Sequence, residues 1–193
     1  MRLIVGISGA SGVIYGVRLL EVARELGVET HLIATGWARR TIEHELGRPA
    51  AEVTALATAS YHPSDLSSPV ASGSFQTAGM VVLPCSMKTL GALAAGYTAD
   101  LLTRAADVCL KERRTLVLCP RETPLHAIHL ENMLRLSRAG AIIMPPVPAF
   151  YDRPRTLQDV VDHFVGRVLD HFGIRSGLYA EWQGMGPEAV DEP

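Results

Sequence analysis

Two apolar runs, Leu3-Ile4-Val5 and Met80-Val81-Val82-Leu83, are each followed at once by small and hydroxyl-bearing residues. The first leads into Gly6-Ile7-Ser8-Gly9-Ala10-Ser11-Gly12 and the second into Pro84-Cys85-Ser86-Met87-Lys88-Thr89. A short unbroken apolar run suits a strand buried on both faces, and such strands belong to parallel sheets covered by helices. Small residues after it let the backbone approach a ligand before a helix starts, and the start of a helix offers N–H groups to an anion. Both turns therefore read as phosphate-facing, and two such mouths on one sheet point to a nucleotide-type ligand.

The rest of the chain alternates in the same way. The spacing predicts a helix over Val13 to Leu26 ended by Gly27, a strand over Thr30 to Ala34 and a helix over Gly36 to Leu46. A long surface excursion is expected from Ser60 to Thr77, then a strand over Met80 to Leu83 and a short helix from Ser86. A helix over about Asp100 to Arg113, a strand over Leu116 to Cys119, a helix over Leu125 to Arg138 and a strand over Ala141 to Met144 complete the set. The run Met144-Pro145-Pro146-Val147-Pro148-Ala149-Phe150-Tyr151 lacks the N–H donors of a central strand and reads as a stiff, ordered loop. Thr156 caps a last amphipathic helix that carries Leu157, Val160, Val161, Phe164, Val165, Val168, Leu169 and Phe172, with Asp159 in its first turn. The expected fold is α/β: a three-layer α/β/α doubly wound parallel sheet, Rossmann-like or flavodoxin-like, with its ligand at the carboxyl ends of the strands near the topological switch point. Residues 1–185 are expected to form one domain, and 186–193 a flexible tail.

Composition narrows the classes of function. A chain of 193 residues with 48% hydrophobic content supports one substantial core. The formal net charge of −2 comes without a basic stripe, so a nucleic-acid partner is not expected. The N-terminus enters a strand directly, and no apolar stretch nears the roughly 20 residues of a membrane span. A cytoplasmic protein without a membrane partner is therefore expected. Cys85, Cys109 and Cys119 form no C-x-x-C pair and are odd in number, against a disulfide scaffold or a zinc ribbon. Cys109 and Cys119 read as small buried hydrophobes, while Cys85 stands at a strand end beside the expected site.

The first turn is not the dinucleotide fingerprint, since its glycines are spaced G-x-x-G-x-x-G and the second strand ends in Ala34-Thr35 where a ribose-binding acid would stand. The P-loop pattern is absent as well. A mononucleotide remains, its phosphate met by backbone N–H groups and the hydroxyls of Ser11, Thr35, Ser86 and Thr89, and FMN satisfies this. For either turn alone, the simpler reading is that a Gly/Ser segment merely starts a helix. Arg121 and Glu122, just after the Leu116 to Cys119 strand, are expected to point into the ligand crevice, whereas Arg113 and Arg114 read as a solvated pair. From the residues alone, Tyr151 could simply close the Pro-rich loop and Arg167 could be a charge on an amphipathic helix. His126 and His129 lie three apart on a helix without a third ligand in view, so no metal is expected. Trp37 reads as a packing or subunit-contact residue that could alter access to the ligand.

Gly6 to Gly16 (GISGASGVIYG), Gly73 to Thr77 (GSFQT), Leu83 to Thr89 (LPCSMKT), Leu101 to Arg114 (LLTRAADVCLKERR), Leu116 to His126 (LVLCPRETPLH) and Ile143 to Tyr151 (IMPPVPAFY) together resemble the UbiX-type flavin prenyltransferases, over residues 1 to about 184. The wider group of flavin-dependent cysteine decarboxylase-like proteins shares only the fold and the first turn. The resemblance implies transfer of a dimethylallyl group from dimethylallyl monophosphate to reduced FMN at N5 and C6, without metal. The prenyl-FMN formed would serve UbiD-type decarboxylases, and the assembly implied is a homododecamer with active sites where subunits meet.

The same resemblance implies that Gly9, Ala10, Ser11, Thr35, Ser86, Met87, Lys88, Thr89 and Arg121 contact FMN. It implies that Lys111, Arg121, Glu122, Tyr151 and Arg167 bind the dimethylallyl phosphate, and that Ser11, Glu45, Glu122 and Trp182 take part in catalysis, Glu45 as a partner of Ser11. The chemistry is consistent with those residue types. A departing phosphate dianion needs cations, a Glu among them can exchange a proton, and an allyl cation is stabilised by an aromatic wall. Two other functions compete: a flavin-dependent decarboxylase acting directly on a carboxylic acid, whose expected His after the first turn is absent, and a flavin carrier or accessory subunit of a decarboxylase.

Overall fold

The computed structural model describes residues 1–184, so the expected tail at 186–193 lies outside the described residues. In chain order the elements are β1 (Arg2–Ile7), α1 (Val13–Glu25), β2 (Glu29–Ala34), α2 (Gly36–Leu46), α3 (Ala50–Thr54), β3 (Ala59–Tyr61), a 3-10 turn (Pro69–Ala71), β4 (Gly79–Cys85), α4 (Met87–Ala94), α5 (Leu101–Lys111), β5 (Thr115–Pro120), α6 (Ala127–Arg138), β6 (Ile142–Ile143) and α7 (Leu157–Asp170). The six strands form one sheet in the order β3-β2-β1-β4-β5-β6, and every pairing is parallel. This is the doubly wound arrangement expected from the alternation. The strand order reverses between β1 and β4, the place where such sheets open a crevice at their carboxyl edge.

Strand periodicity divides the core into two. Leu3, Val5, Ile7, Val81 and Leu83 face one side and pack with residues of α1, α2 and α7. Ile4, Met80, Val82, Leu116 and Leu118 face the other and pack with α4, α5 and α6. Side chains from one strand thus feed both layers, which is why these runs are apolar without alternation. No helix among the described residues is long and apolar enough to cross a membrane.

The structure adds three short elements to the expected set. Ser60 to Thr77 was expected to be all surface loop, yet Ala59–Tyr61 pairs with β2 as an edge strand and Pro69–Ala71 forms a helical turn. Residues Ala50–Thr54 form the short α3. All three fall below the length at which hydrophobic periodicity is readable. The helix expected from Leu125 starts at Ala127, with His126 in extended conformation before it. At α7 the expected cap is a reciprocal box: Thr156 Oγ1 accepts from the Asp159 N–H at 3.1 Å, and Asp159 Oδ2 accepts from the Thr156 N–H at 3.0 Å.

Candidate active site

The two turns recognised in the sequence meet at the strand-order reversal, and a buried hydroxyl joins them. Ser8 Oγ donates to the Pro84 carbonyl at 2.9 Å and accepts from the Ser86 N–H at 2.7 Å, while the Ser8 N–H donates to the same carbonyl at 3.2 Å. Ser86 then caps α4. Its Oγ accepts from the Thr89 N–H at 3.3 Å and lies 3.1 Å from Thr89 Oγ1. Thr35 caps α2, its Oγ1 accepting from the Ala38 N–H at 3.1 Å. Between these caps lies a cleft of about 520 Å³ lined by Ser8, Gly9, Thr35, Gly36, Trp37, Arg40, Pro63, Ser86, Lys88, Thr89 and Asp100. That volume lies in the range of small-molecule and cofactor sites.

The structure gives the two turns different roles. The Glu45 carboxylate accepts from the Gly12 N–H at 2.9 Å and the Val13 N–H at 3.2 Å, so a carboxylate of α2 already fills the anion position at the start of α1. The starts of α2 and α4 open on the cleft instead, with Lys88 in the first turn of α4. Gly9 is fixed by packing: a Cβ there would sit 2.4 Å from the Trp37 Cβ, closer than real side chains approach. Trp37 is 66% exposed and forms part of the cleft wall, with the Arg40 guanidinium 5.1 Å from its ring centroid. Its role is thus at the mouth of the cleft as well as in packing.

Of the residues singled out in the sequence, Gly9, Thr35, Ser86, Lys88 and Thr89 line this one cleft, and Ala10, Ser11 and Met87 stand on its two turns. Arg121 follows β5 on the same carboxyl edge, its N–H donating to the Cys85 carbonyl at 3.1 Å. Glu122 is exposed beside it and accepts from the Thr123 N–H at 3.0 Å. Ser8, Arg40, Pro63 and Asp100 were missed. Ser8 stands inside the glycine-bearing segment that signalled the first turn, but its partners are 76 and 78 residues away. Arg40 carries no signal beyond its helix.

The remaining residues lie elsewhere. Asp100 caps the start of α5 at the cleft, and the helix then runs back, so Lys111 in its last turn lies about 16 Å away at the amino edge of the sheet. There Lys111 pairs with Glu112, and Arg114 binds the Gly73 and Phe75 carbonyls. Tyr151 and Trp182 come together on a third surface, beside α7, with ring centroids 5.4 Å apart and planes at 72°. Arg167 is on α7, its Nε 3.9 Å from Asp170, which also accepts from the Tyr179 hydroxyl.

Burial sets the thiols apart from the chemistry. Cys85 is fully buried and its pKa is pushed up to about 12, while Cys109 rises to about 11 and Cys119 also rises well above the ordinary thiol value. A thiolate nucleophile at the end of β4 is thus unfavourable near neutral pH. His126 and His129 stack with centroids 3.5 Å apart, and among the described residues no three His, Cys, Asp or Glu side chains are grouped to hold a metal ion.

A family model described as Flavoprotein matches residues 1–169. The flavin prenyltransferase UbiX of Escherichia coli (strain K12) is 57% identical over 186 residues, 95% of this chain and 98% of that protein. This chain belongs to the UbiX-type flavin prenyltransferase family. Solved UbiX structures share its whole architecture. AnUbiX in complex with FMN and dimethylallyl pyrophosphate superposes with a TM-score of 0.93 at 49% identity, covering 95% of this chain and 97% of that one. A dodecameric FMN-dependent UbiX-like decarboxylase from Escherichia coli O157:H7 does so with a TM-score of 0.93 at 55% identity, covering 95% and 100%. In this UbiX-family chain the sequence segments that carried the resemblance occupy both turns of the cleft, the end of α5 and the loop before α7.

Proposed function

We propose that the chain transfers a dimethylallyl group from dimethylallyl monophosphate to reduced FMN, forming bonds at the flavin N5 and C6 and needing no metal. Prenyl-FMN then passes to a UbiD-type decarboxylase. The observation that carries this reading is the meeting of two hydroxyl-bearing turns around one cleft at the strand-order reversal, in a chain of the UbiX family. The residues fit FMN: the starts of α2 and α4, the Ser86 and Thr89 hydroxyls and Lys88 suit a phosphate, and Gly9 lets the ring system approach the backbone. Once bound, the reduced flavin supplies the nucleophile that takes the allyl group.

Gly9, Ala10, Ser11, Thr35, Ser86, Met87, Lys88, Thr89 and Arg121 are assigned to the flavin, and Lys111, Arg121, Glu122, Tyr151 and Arg167 to the donor phosphate. Cations around that phosphate stabilise the charge it gains on leaving. Glu122 exchanges a proton with phosphate or flavin, Ser11 and Glu45 hold the first turn against the flavin, and Trp182 shields the allyl group from water.

These groups do not meet in one chain: Lys111 lies at the opposite edge from the cleft, and Tyr151, Trp182 and Arg167 on the α7 flank. The reading therefore requires self-association, and we propose a homododecamer, the assembly of the dodecameric relative. The exposed apolar residues Ile128, Leu130 and Leu134 of α6 offer surface for it. A cytoplasmic location completes the reading. Anaerobic incubation with reduced FMN and dimethylallyl monophosphate, in the presence of EDTA, should yield a flavin heavier by one isoprene unit. Unaltered flavin mass would refute the transfer, and activity that vanishes on chelation and returns with magnesium would refute metal independence. The relative described as a decarboxylase favours a second reading, direct decarboxylation, in which flavin mass stays constant and carbon dioxide is released.

A further inference from the structure

Beside α7 a polar triangle surrounds the hydroxyl of Tyr151. His163 precedes Arg167 by one turn on the same face of the helix. Its Nε2 lies 3.0 Å from Tyr151 Oη and 3.1 Å from Asp152 Oδ2. The ring is held edge-on between Tyr151, at 5.5 Å and 82°, and Tyr179, at 5.0 Å and 70°, and its side chain is only 15% exposed.

The chemistry of the three groups settles which way the hydrogens point. A carboxylate oxygen 3.1 Å from Nε2 repels a bare lone pair there and attracts an N–H, so Asp152 favours the proton on this nitrogen. The hydrogen-bond geometry of Nε2 is toward Tyr151 Oη, with Asp152 a neighbouring negative charge, so the Nε2–H donates to Tyr151 and the tyrosine oxygen is an acceptor on this side. The phenol keeps its own hydrogen for something else. Were Nε2 unprotonated, Tyr151 would donate into the ring and present only lone pairs outward, which an anion would repel. Nε2–H is present in the neutral tautomer and in the imidazolium alike, so the arrangement does not depend on the charge of His163.

We propose that His163, held as the Nε2–H tautomer by Asp152, is a positioning residue that keeps the Tyr151 hydroxyl free to donate to the phosphate of the prenyl donor. This rests on the assignment of Tyr151 to that phosphate, and the experiment separates the two. In the assembled, FMN-loaded protein, the KM for dimethylallyl monophosphate and the dissociation constant for FMN are measured for Tyr151→Phe, His163→Leu, His163→Gln, Asp152→Asn and the Tyr151→Phe/His163→Leu pair.

Tyr151→Phe should raise KM about tenfold, as expected for a hydrogen bond to a charged group, and His163→Leu about fivefold, both without change in FMN affinity or assembly. The Gln amide donates at about the reach of Nε2 and should restore most of the loss. The double variant should be no worse than Tyr151→Phe alone, because both changes remove one interaction. Ordinary KM in Tyr151→Phe overturns the assignment of Tyr151, and the role of His163 with it. A raised KM there with ordinary KM in His163→Leu overturns the positioning role alone. Additive losses, no rescue by Gln, or a parallel fall in FMN affinity would mark His163 as a packing residue and overturn it too. Should His163→Leu fail to fold, Asp152→Asn decides: freeing the tautomer should raise KM, and an ordinary KM overturns the proposal.

Discussion

Replacing Glu45 by Ala removes the carboxylate that closes the first turn of α1, and the geometry sets the size of the effect. The carboxylate accepts two backbone N–H groups, Gly12 at 2.9 Å and Val13 at 3.2 Å. Hydrogen bonds to a charged partner contribute about 1.5–3 kcal/mol, and a negative charge at a helix start about 0.3–1 kcal/mol. Glu45 is exposed and Gly12 half-buried, so water competes and screens, and the two bonds together are worth about 1–2 kcal/mol. For a chain of this length that is a fall of about 2–8 °C in the unfolding midpoint. Glu45→Gln keeps an acceptor oxygen and loses the charge, so about half of that is expected.

The same turn carries Gly9, Ala10 and Ser11, so Glu45→Ala should also weaken FMN binding several-fold, measured by fluorescence at fixed protein and flavin concentration. A proton-transferring Glu45 makes the opposite prediction. Glu45→Gln would then abolish turnover while leaving both the midpoint and FMN affinity intact. Unaltered midpoint and FMN affinity in Glu45→Ala would refute the capping argument outright.

Ser8→Ala should cost about 1–3 kcal/mol, because the part-buried Ser86 N–H loses the acceptor that the buried Ser8 hydroxyl supplies, and it should loosen FMN through the displaced cap of α4; an unchanged midpoint refutes the bridge. Above pH 9 the unfolded chain releases thiol protons that the folded chain retains on Cys85, Cys109 and Cys119, so stability should fall as pH rises, by up to about 1.4 kcal/mol per pH unit for each thiol. Cys85→Ala should remove one share of that slope between pH 9 and 11, and a slope left intact contradicts the assignment. Mixed oligomers of Lys88→Ala subunits with Lys111→Ala/Arg167→Ala subunits, each inactive alone, should regain prenyl-FMN formation; no recovery in verified mixtures would show that each chain builds its own site.

The parts of the site legible in the sequence are those that follow a strand. A strand buried on both faces has to be an apolar run, and the residue after it is where a parallel sheet exposes its ligand edge, so Gly9, Thr35, Ser86, Lys88 and Thr89 could be picked out and do line one cleft. What escaped is non-local or short. Trp37 meets Gly9 only because α2 starts beside the first turn, and Ser8 matters only because the parallel pairing of β1 with β4 brings it to the Pro84 carbonyl and the Ser86 N–H. The edge strand β3 has three residues and α3 five, too few for a period to show.

The placement of Lys111 and Arg167 follows from the same winding rule that makes the cleft. In a parallel α/β sheet each helix starts at the carboxyl edge and returns to the amino edge. Helix starts, with their unpaired N–H groups, therefore gather where ligands bind, and helix ends gather on the far side. Basic side chains are favoured in last turns because they offset the carbonyl end of the helix, and Lys111 and Arg167 stand in the last turns of α5 and α7. The α7 end is further tied down where Phe172 packs against Gly79 at the start of β4. A single copy thus separates the helix starts at its cleft from these two cations by about the length of a helix. Any chemistry that needs both around one phosphate has to bring the amino edge and α7 flank of other copies to the carboxyl edge of the first. For this fold, self-association is a condition of the proposed reaction and not an addition to it.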